Sequence, residues 1–189
     1  MYKLYAAPAV EPILLAKAKL YLKQDSTADD ALIDSLIIAA RVEVENILGY
    51  KLINQTWDYW TNNFTDPIQI DMLPLSSVTH VKYLDINRVE QTVSNTDYYV
   101  YTNHEPGLIE PVSTWPIVGD WYNAVNVRFV TGFGAAATSI PEFELIERAM
   151  LMIIADAYEF RENSQPSHSA IKSIPNSART ILMSLRSFR

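Results

Sequence analysis

Three histidines, at positions 80, 104 and 168, are the side chains best suited to general-base or metal-binding work, and their spacing supports neither. A local metal site places its imidazole and carboxylate ligands within a helical turn or a short loop of one another. Here His80 falls in a strand-like segment, His104 beside Glu105 in a Pro/Gly turn, and His168 in a polar linker. Each is therefore read as structural, with His104 and Glu105 a solvated turn pair. The carboxylate pairs Asp29 with Asp30 and Glu142 with Glu144 stand at the starts of helical patterns. Exposed N–H groups and the helix dipole favour anions there without any acid–base role. Gly132-Phe133-Gly134 lacks the lysine and downstream signature of a phosphate loop and reads as a turn or hinge after a strand. The chain has no cysteine, which removes disulfides, thiol nucleophiles and thiolate metal sites. No catalytic, cofactor-binding or metal-binding residue is assigned, no cofactor is expected, and the chain is read as a non-enzyme.

The remaining chemically distinctive side chains are aromatic. Trp57 and Tyr59 fit one face of a strand and Trp60 the other, while Trp115-Pro116 and Trp121-Tyr122 lie in an irregular stretch. Core packing with ordinary strand surface accounts for the first group, an intersubunit contact through aromatic anchors being the alternative. For the second, exposure to a partner is the expectation, so Trp57, Trp60, Trp115 and Trp121 are candidate interface aromatics. The net charge of −7 disfavours broad adhesion to DNA or anionic membranes. No stretch reaches the roughly 18 to 20 apolar residues of a membrane span. Pro8, Glu11 and Pro12 interrupt the place where a signal peptide carries its apolar core. A soluble, unprocessed protein is expected.

These residues are positioned by a chain whose hydrophobic period changes twice. Pro12 at a first helical turn opens a short helix through Ile13, Leu14, Leu15, Ala18, Leu20 and Tyr21. Thr27 is read as the N-cap of a longer helix in which Leu32, Ile33, Leu36, Ile37, Ala40, Val44, Ile47 and Leu48 form the apolar face. Asp34, Arg41, Glu43 and Glu45 form its other face, and Gly49 terminates it. From Gln55 the period becomes that of strands: Gln55 to Trp60, Ile68 to Met72, Val78 to Leu84, Val89 to Val93, Tyr98 to Tyr101, Leu108 with Ile109, and Val125 to Phe129. Short strands without room for crossover helices predict an antiparallel arrangement. Pro141 reopens a helix with a stripe through Leu145, Ala149, Met152, Ile153, Asp156 and Phe160, broadened by Ile146, Met150, Leu151 and Ile154, so that burial on more than one face is expected. The polar segment 161–170 reads as a linker to a final helix, Asn176 to Phe188. The fold class is α+β: helical parts at 1–54 and 135–189 forming a core, with an antiparallel β-rich insertion at 55–134.

The ordered series of short motifs resembles the head-tail connector (adaptor) proteins of tailed bacteriophages and prophages, in their longer form with a strand-rich insertion. The resemblance runs over most of the chain. It is carried by Asp29-Asp30-Ala31-Leu32-Ile33, Ala39-Ala40-Arg41, Val44 to Gly49, and Leu52-Ile53-Asn54-Gln55-Thr56-Trp57. Leu73 to Val78, Val81 to Asp85, Asp97-Tyr98-Tyr99-Val100, Pro106-Gly107-Leu108-Ile109 and Trp115-Pro116 continue it. Asn123 to Val127, Thr131-Gly132-Phe133-Gly134 and Ile140-Pro141, leading to a helix ending at Tyr158-Glu159, complete it. Asn46, Leu48 and the Ser-rich tail depart from the pattern.

The resemblance implies a virion subunit that assembles as a homo-oligomeric ring of about twelve copies, each presenting two different complementary faces. It implies binding below the portal protein, a platform for neck or tail-completion proteins, and passage of DNA through the ring without sequence reading. Assembly would take place in the host cytoplasm. The final segment supplies the candidate portal or intersubunit contacts Arg179, Ile181, Leu182, Leu185, Arg186, Phe188 and Arg189. Another neck or tail-completion protein is the nearest alternative. A carbohydrate-binding module is a more distant one, and it requires Trp57, Trp60 and Trp115 to form an exposed platform.

Overall fold

The computed structural model describes residues 1–136, 139–160 and 175–186. The chain is α+β, running β1 (Tyr2–Ala6), α1 (Leu15–Leu22), α2 (Asp30–Leu48), β2 (Gln55–Thr61), β3 (Ile68–Ile70) and β4 (Leu75–Leu84). It continues through β5 (Glu90–Val93), β6 (Tyr98–Tyr101), β7 (Gly107–Pro111), β8 (Val125–Thr131), α3 (Phe143–Glu159) and α4 (Asn176–Leu185). Two compact units result. Met1–Ala9 with Ile53–Ala135 form a strand unit, and Val10–Leu52 with Ala136–Arg189 a helical unit.

In the strand unit, β1-β2-β8-β4-β5 form one sheet and β3-β7-β6 another, every neighbouring pair antiparallel. The alternation along β8 decides how the larger sheet is used. Val125, Val127 and Phe129 are fully buried on its inner face. They meet Ile68, Ile70, Tyr98 and Ile109 of the smaller sheet and Val81 and Val93 of their own. Burying a side chain of this size is worth about 1.5–3 kcal/mol, so this shared core is what holds the two sheets together.

One element of the strand unit was not visible in the sequence pattern. β1 pairs with the edge of β2, Tyr2 opposite Tyr59 and Leu4 opposite Trp57. Only Tyr2 is half-buried in it, so its strand character rests on that pairing and not on a buried face. Gly132 has φ +130°, and a Cβ there would lie 2.5 Å from the Ile53 carbonyl carbon. The turn after β8 thus requires glycine for close backbone approach, and Asn54 N–H donates to the Gly134 carbonyl at 2.9 Å beside it.

In the helical unit, α1 starts at Leu15 rather than in the turn that holds Pro12; Pro12 and Ile13 are instead buried ahead of it. The N-cap of α2 is Asp29, not Thr27, whose carbonyl accepts from Asp30 N–H at 3.3 Å. Gly49, at φ +81°, ends α2 as expected, its N–H donating to the Glu45 carbonyl. The expectation for the polar face of α2 needs correction at two positions, because Arg41 and Glu45 are buried. The broad apolar surface of α3 is buried at Ile146, Ala149, Met150, Leu151, Ile153 and Ile154, as expected, whereas Leu145 and Phe160 at its ends are exposed. Asp156, the odd member of the expected stripe, sits at its half-buried margin. α4 packs on α3 and α2 through Ala178 and Leu182.

Candidate functional site

The outer face of the five-stranded sheet is polar because the same alternation that turns Val125, Val127 and Phe129 inward turns Asn126 and Arg128 outward. Arg128 on β8 stands opposite Asp58 on β2. Its Nε and Nη2 donate to Oδ1 and Oδ2 at 2.8 and 2.9 Å. These hydrogen bonds are the main reason the Asp58 carboxyl is held below the usual aspartate range and the Arg128 guanidinium is pushed above its own. The guanidinium also lies 3.3 Å from the centroid of the Tyr5 ring. Alongside, His80 Nε2 is 3.0 Å from Asn126 Oδ1, and Lys82 pairs with Glu90 at 2.6 Å. Trp60, Lys82, Glu90 and Asn126 border a shallow recess of about 210 Å³.

The aromatic residues separate by face. Trp57 and Trp115 pack against the inner core, whereas Trp60 borders the outer recess, so these three do not form one platform. Trp115 stacks on Phe64 with centroids 4.6 Å apart and planes at 9°, and its Nε1 donates to the Thr65 carbonyl at 3.0 Å. Trp121 donates to the Asp85 carbonyl at 3.1 Å, beneath the Arg88 guanidinium. Both tryptophans of the irregular stretch are therefore half-buried and engaged internally, while Tyr122 and Ile117 beside them are exposed. His104 contacts the Pro106 carbonyl in its turn. Among the described residues no three His, Cys, Asp or Glu side chains converge on a metal-sized site, and no helix is long and apolar enough to cross a membrane.

The helical unit contains a buried ionic chain that the sequence pattern did not reveal. Glu11 binds Arg41 at 2.7 Å, Arg41 binds Glu45 at 3.3 Å, and Lys51 binds Glu45 at 3.2 Å. The other Glu45 oxygen accepts from Leu52 N–H at 3.2 Å. This chain fastens the segment before α1 and the turn after α2 to the middle of α2. The i, i+4 spacing of Arg41 and Glu45 was a local signal, but their burial depends on Glu11 and Lys51, which lie elsewhere in the sequence. Lys19 pairs with Asp30, and Tyr158 donates to Asp29 at 2.5 Å, so both acids at the start of α2 are engaged by other helices.

Of the expected contact residues on the final helix, Leu182 is fully buried in the helical unit and Ile181 and Leu185 are half-buried. Arg179 and Arg186 are exposed. Phe188 and Arg189 lie outside the described residues, as do 161–170 with His168. Exposed apolar side chains concentrate elsewhere in the unit, at Leu14, Leu20, Tyr21, Ile38 and Val42. Leu14 and Ile38 border a groove of about 360 Å³, lined also by Glu11, Ile13, Asp34 and Ile37.

The model of a protein family described as head completion protein matches residues 13–188, spanning helices and strands alike. The chain belongs to the head completion protein family. Its fold is also that of solved structures from gene transfer agent (GTA) particles. A chain in the neck of an empty GTA particle, computed with C6 symmetry, superposes with a TM-score of 0.78 at 20% identity, with 100% of this chain and 96% of that one covered. A chain in the neck of the native GTA particle, computed with C12 symmetry, gives 0.74 at 19% identity with the same coverage of both chains. A chain in the native GTA virion gives 0.73 at 20% identity, again covering 100% and 96%. Among curated proteins no sequence matches. The head completion family match and these superpositions extend over both the helical and the strand units.

Proposed function

We propose that this head completion protein is a structural, non-catalytic subunit of a virion neck, a head-tail connector that works as a closed homo-oligomeric ring. The family match over residues 13–188 carries the reading. It is supported by chains of the same fold in GTA particle necks computed with C6 and C12 symmetry. About twelve copies would form the ring, with the portal protein on one side and neck or tail-completion proteins on the other. Exposed apolar side chains on the helical unit supply surfaces that need covering. The net charge of −7 suits a conduit wall, which must let phosphate pass without holding it.

The test is the native mass of the purified chain, alone and with a portal protein from the same particle. A ring in either condition is the expected result. A chain that stays monomeric and ignores the portal overturns the reading.

A further inference from the structure

The exposed side of α2 has an unusual makeup for a solvated helix. Between Asp34 and Asn46 its exposed positions are Asp34, Ser35, Ile38, Ala39, Val42 and Asn46, with one charge among them. A water-facing helix surface normally carries several charged or long polar side chains. Here the side chains are short, with Ile38, Ala39 and Val42 apolar in their midst, and the surface continues into the groove that Leu14 and Ile38 line. Leu14 is 63% exposed and Ile38 46%. Asp34 lines that groove together with Glu11, the partner of Arg41. The surface is thus an apolar trough with an acidic margin.

The same unit presents a matching surface elsewhere. Ala178, Ile181, Leu182 and Leu185 form the packed stripe of α4. Arg179 and Met183, at i and i+4, line a separate exposed flank of that helix, and the exposed Arg186 follows at its C-cap. Met183 is 39% exposed and lies between the two arginines. A flexible thioether adapts to an irregular apolar trough, and arginines on either side complement an acidic margin. α4 is held to α3 and α2 by its packed stripe, which leaves this flank exposed for another molecule.

We propose that the Arg179–Met183–Arg186 flank of one subunit docks in the Leu14–Ile38 trough of a second copy, Met183 on the apolar floor and the arginines toward Asp34. The contact joins two different surfaces, so every subunit keeps one of each free for the next neighbour and the assembly propagates until it closes. The proposal rests on the ring reading above and names the faces that build it.

Because the chain has no cysteine, an engineered pair is unambiguous. The full chain carrying Ile38→Cys and Met183→Cys should give a covalent ladder of multimers on oxidation. The two single variants, mixed, should give a covalent dimer that neither gives alone. Asp34→Arg and the double change Arg179→Glu with Arg186→Glu should each weaken association about tenfold or more, since like charges then face each other, and their combination should restore it. Rings by native mass with no ladder, or rings indifferent to the charge changes, overturn this docking and leave the ring reading standing. A chain that neither self-associates nor binds a portal, and gives no ladder, overturns both.

Discussion

Arg128 and Asp58 face each other across β8 and β2 and share two parallel hydrogen bonds of 2.8 and 2.9 Å. The paired geometry fixes the register of the central strand against its neighbour. A slip by one residue would separate the charges and also turn Val127 and Phe129 out of the core.

Breaking that pair should loosen the strand unit. Arg128→Met leaves the nearly buried Asp58 carboxylate unpaired, and a loss of about 1–3 kcal/mol is expected. Part of the guanidinium is exposed and screened, which keeps the effect below that of a fully buried pair. Urea denaturation followed by tryptophan fluorescence measures it. An unchanged midpoint would remove the pair from the list of structural determinants.

The same pair sets an acid limit. Arg128 lowers the Asp58 carboxyl below its ordinary value of 3.8, so the ionised pair contributes its full stability above that value and loses it as pH falls through the lower, folded one. The stability advantage of the wild type over Asp58→Asn should be constant near neutrality and shrink in acid below 3.8. Thermal melts of both proteins across that range test this, and an advantage that grew in acid would contradict it.

Gly132 and Gly49 both adopt positive φ but differ in their surroundings. Nothing lies within 4 Å of a Cβ placed on Gly49, whereas one on Gly132 strikes the backbone of Ile53 and Asn54. Gly49→Ala should cost about 1 kcal/mol, the strain of the left-handed conformation alone. Gly132→Ala should cost clearly more, because backbone must move as well. Comparing the two unfolding midpoints distinguishes strain from collision.

Glu45 is the hub of the helical unit's ionic chain. Glu45→Ala leaves Arg41 buried without its partner on α2 and removes the acceptor for Lys51 and Leu52 N–H. A loss of about 1–3 kcal/mol is expected, since Glu11 still holds Arg41 and the chief cost is the buried Leu52 N–H left without this acceptor. Circular dichroism of the melt should show helical signal lost first. Retention of wild-type helical stability would mean that the chain of charges is dispensable.

Much of the fold was legible because apolar periodicity is a local property. Val125, Val127 and Phe129 announced the central strand, and Ile33, Ile37, Ala40 and Val44 announced α2, from spacing alone. β1 escaped because four of its five residues are exposed, and its strand character comes from pairing with β2. Arg41 and Glu45 were placed on a solvated face because a charge at a helical position ordinarily faces water; Glu11, which makes burial possible, lies thirty residues from Arg41. Trp115 and Trp121 looked unanchored for the same reason, since their partners Thr65 and Asp85 are remote in sequence. On the final helix, the two arginines were legible as surface charge. That Leu182 belongs to the interior required the position of α3.

Asn54 N–H and the Gly134 carbonyl meet at 2.9 Å, so the long excursion from β2 to β8 leaves and returns at almost the same point. A loop of about eighty residues is thus closed at its neck by this backbone hydrogen bond and the strand pairing of β2 with β8, so a change of length in the connections between the inner strands leaves the spacing of that neck as it is.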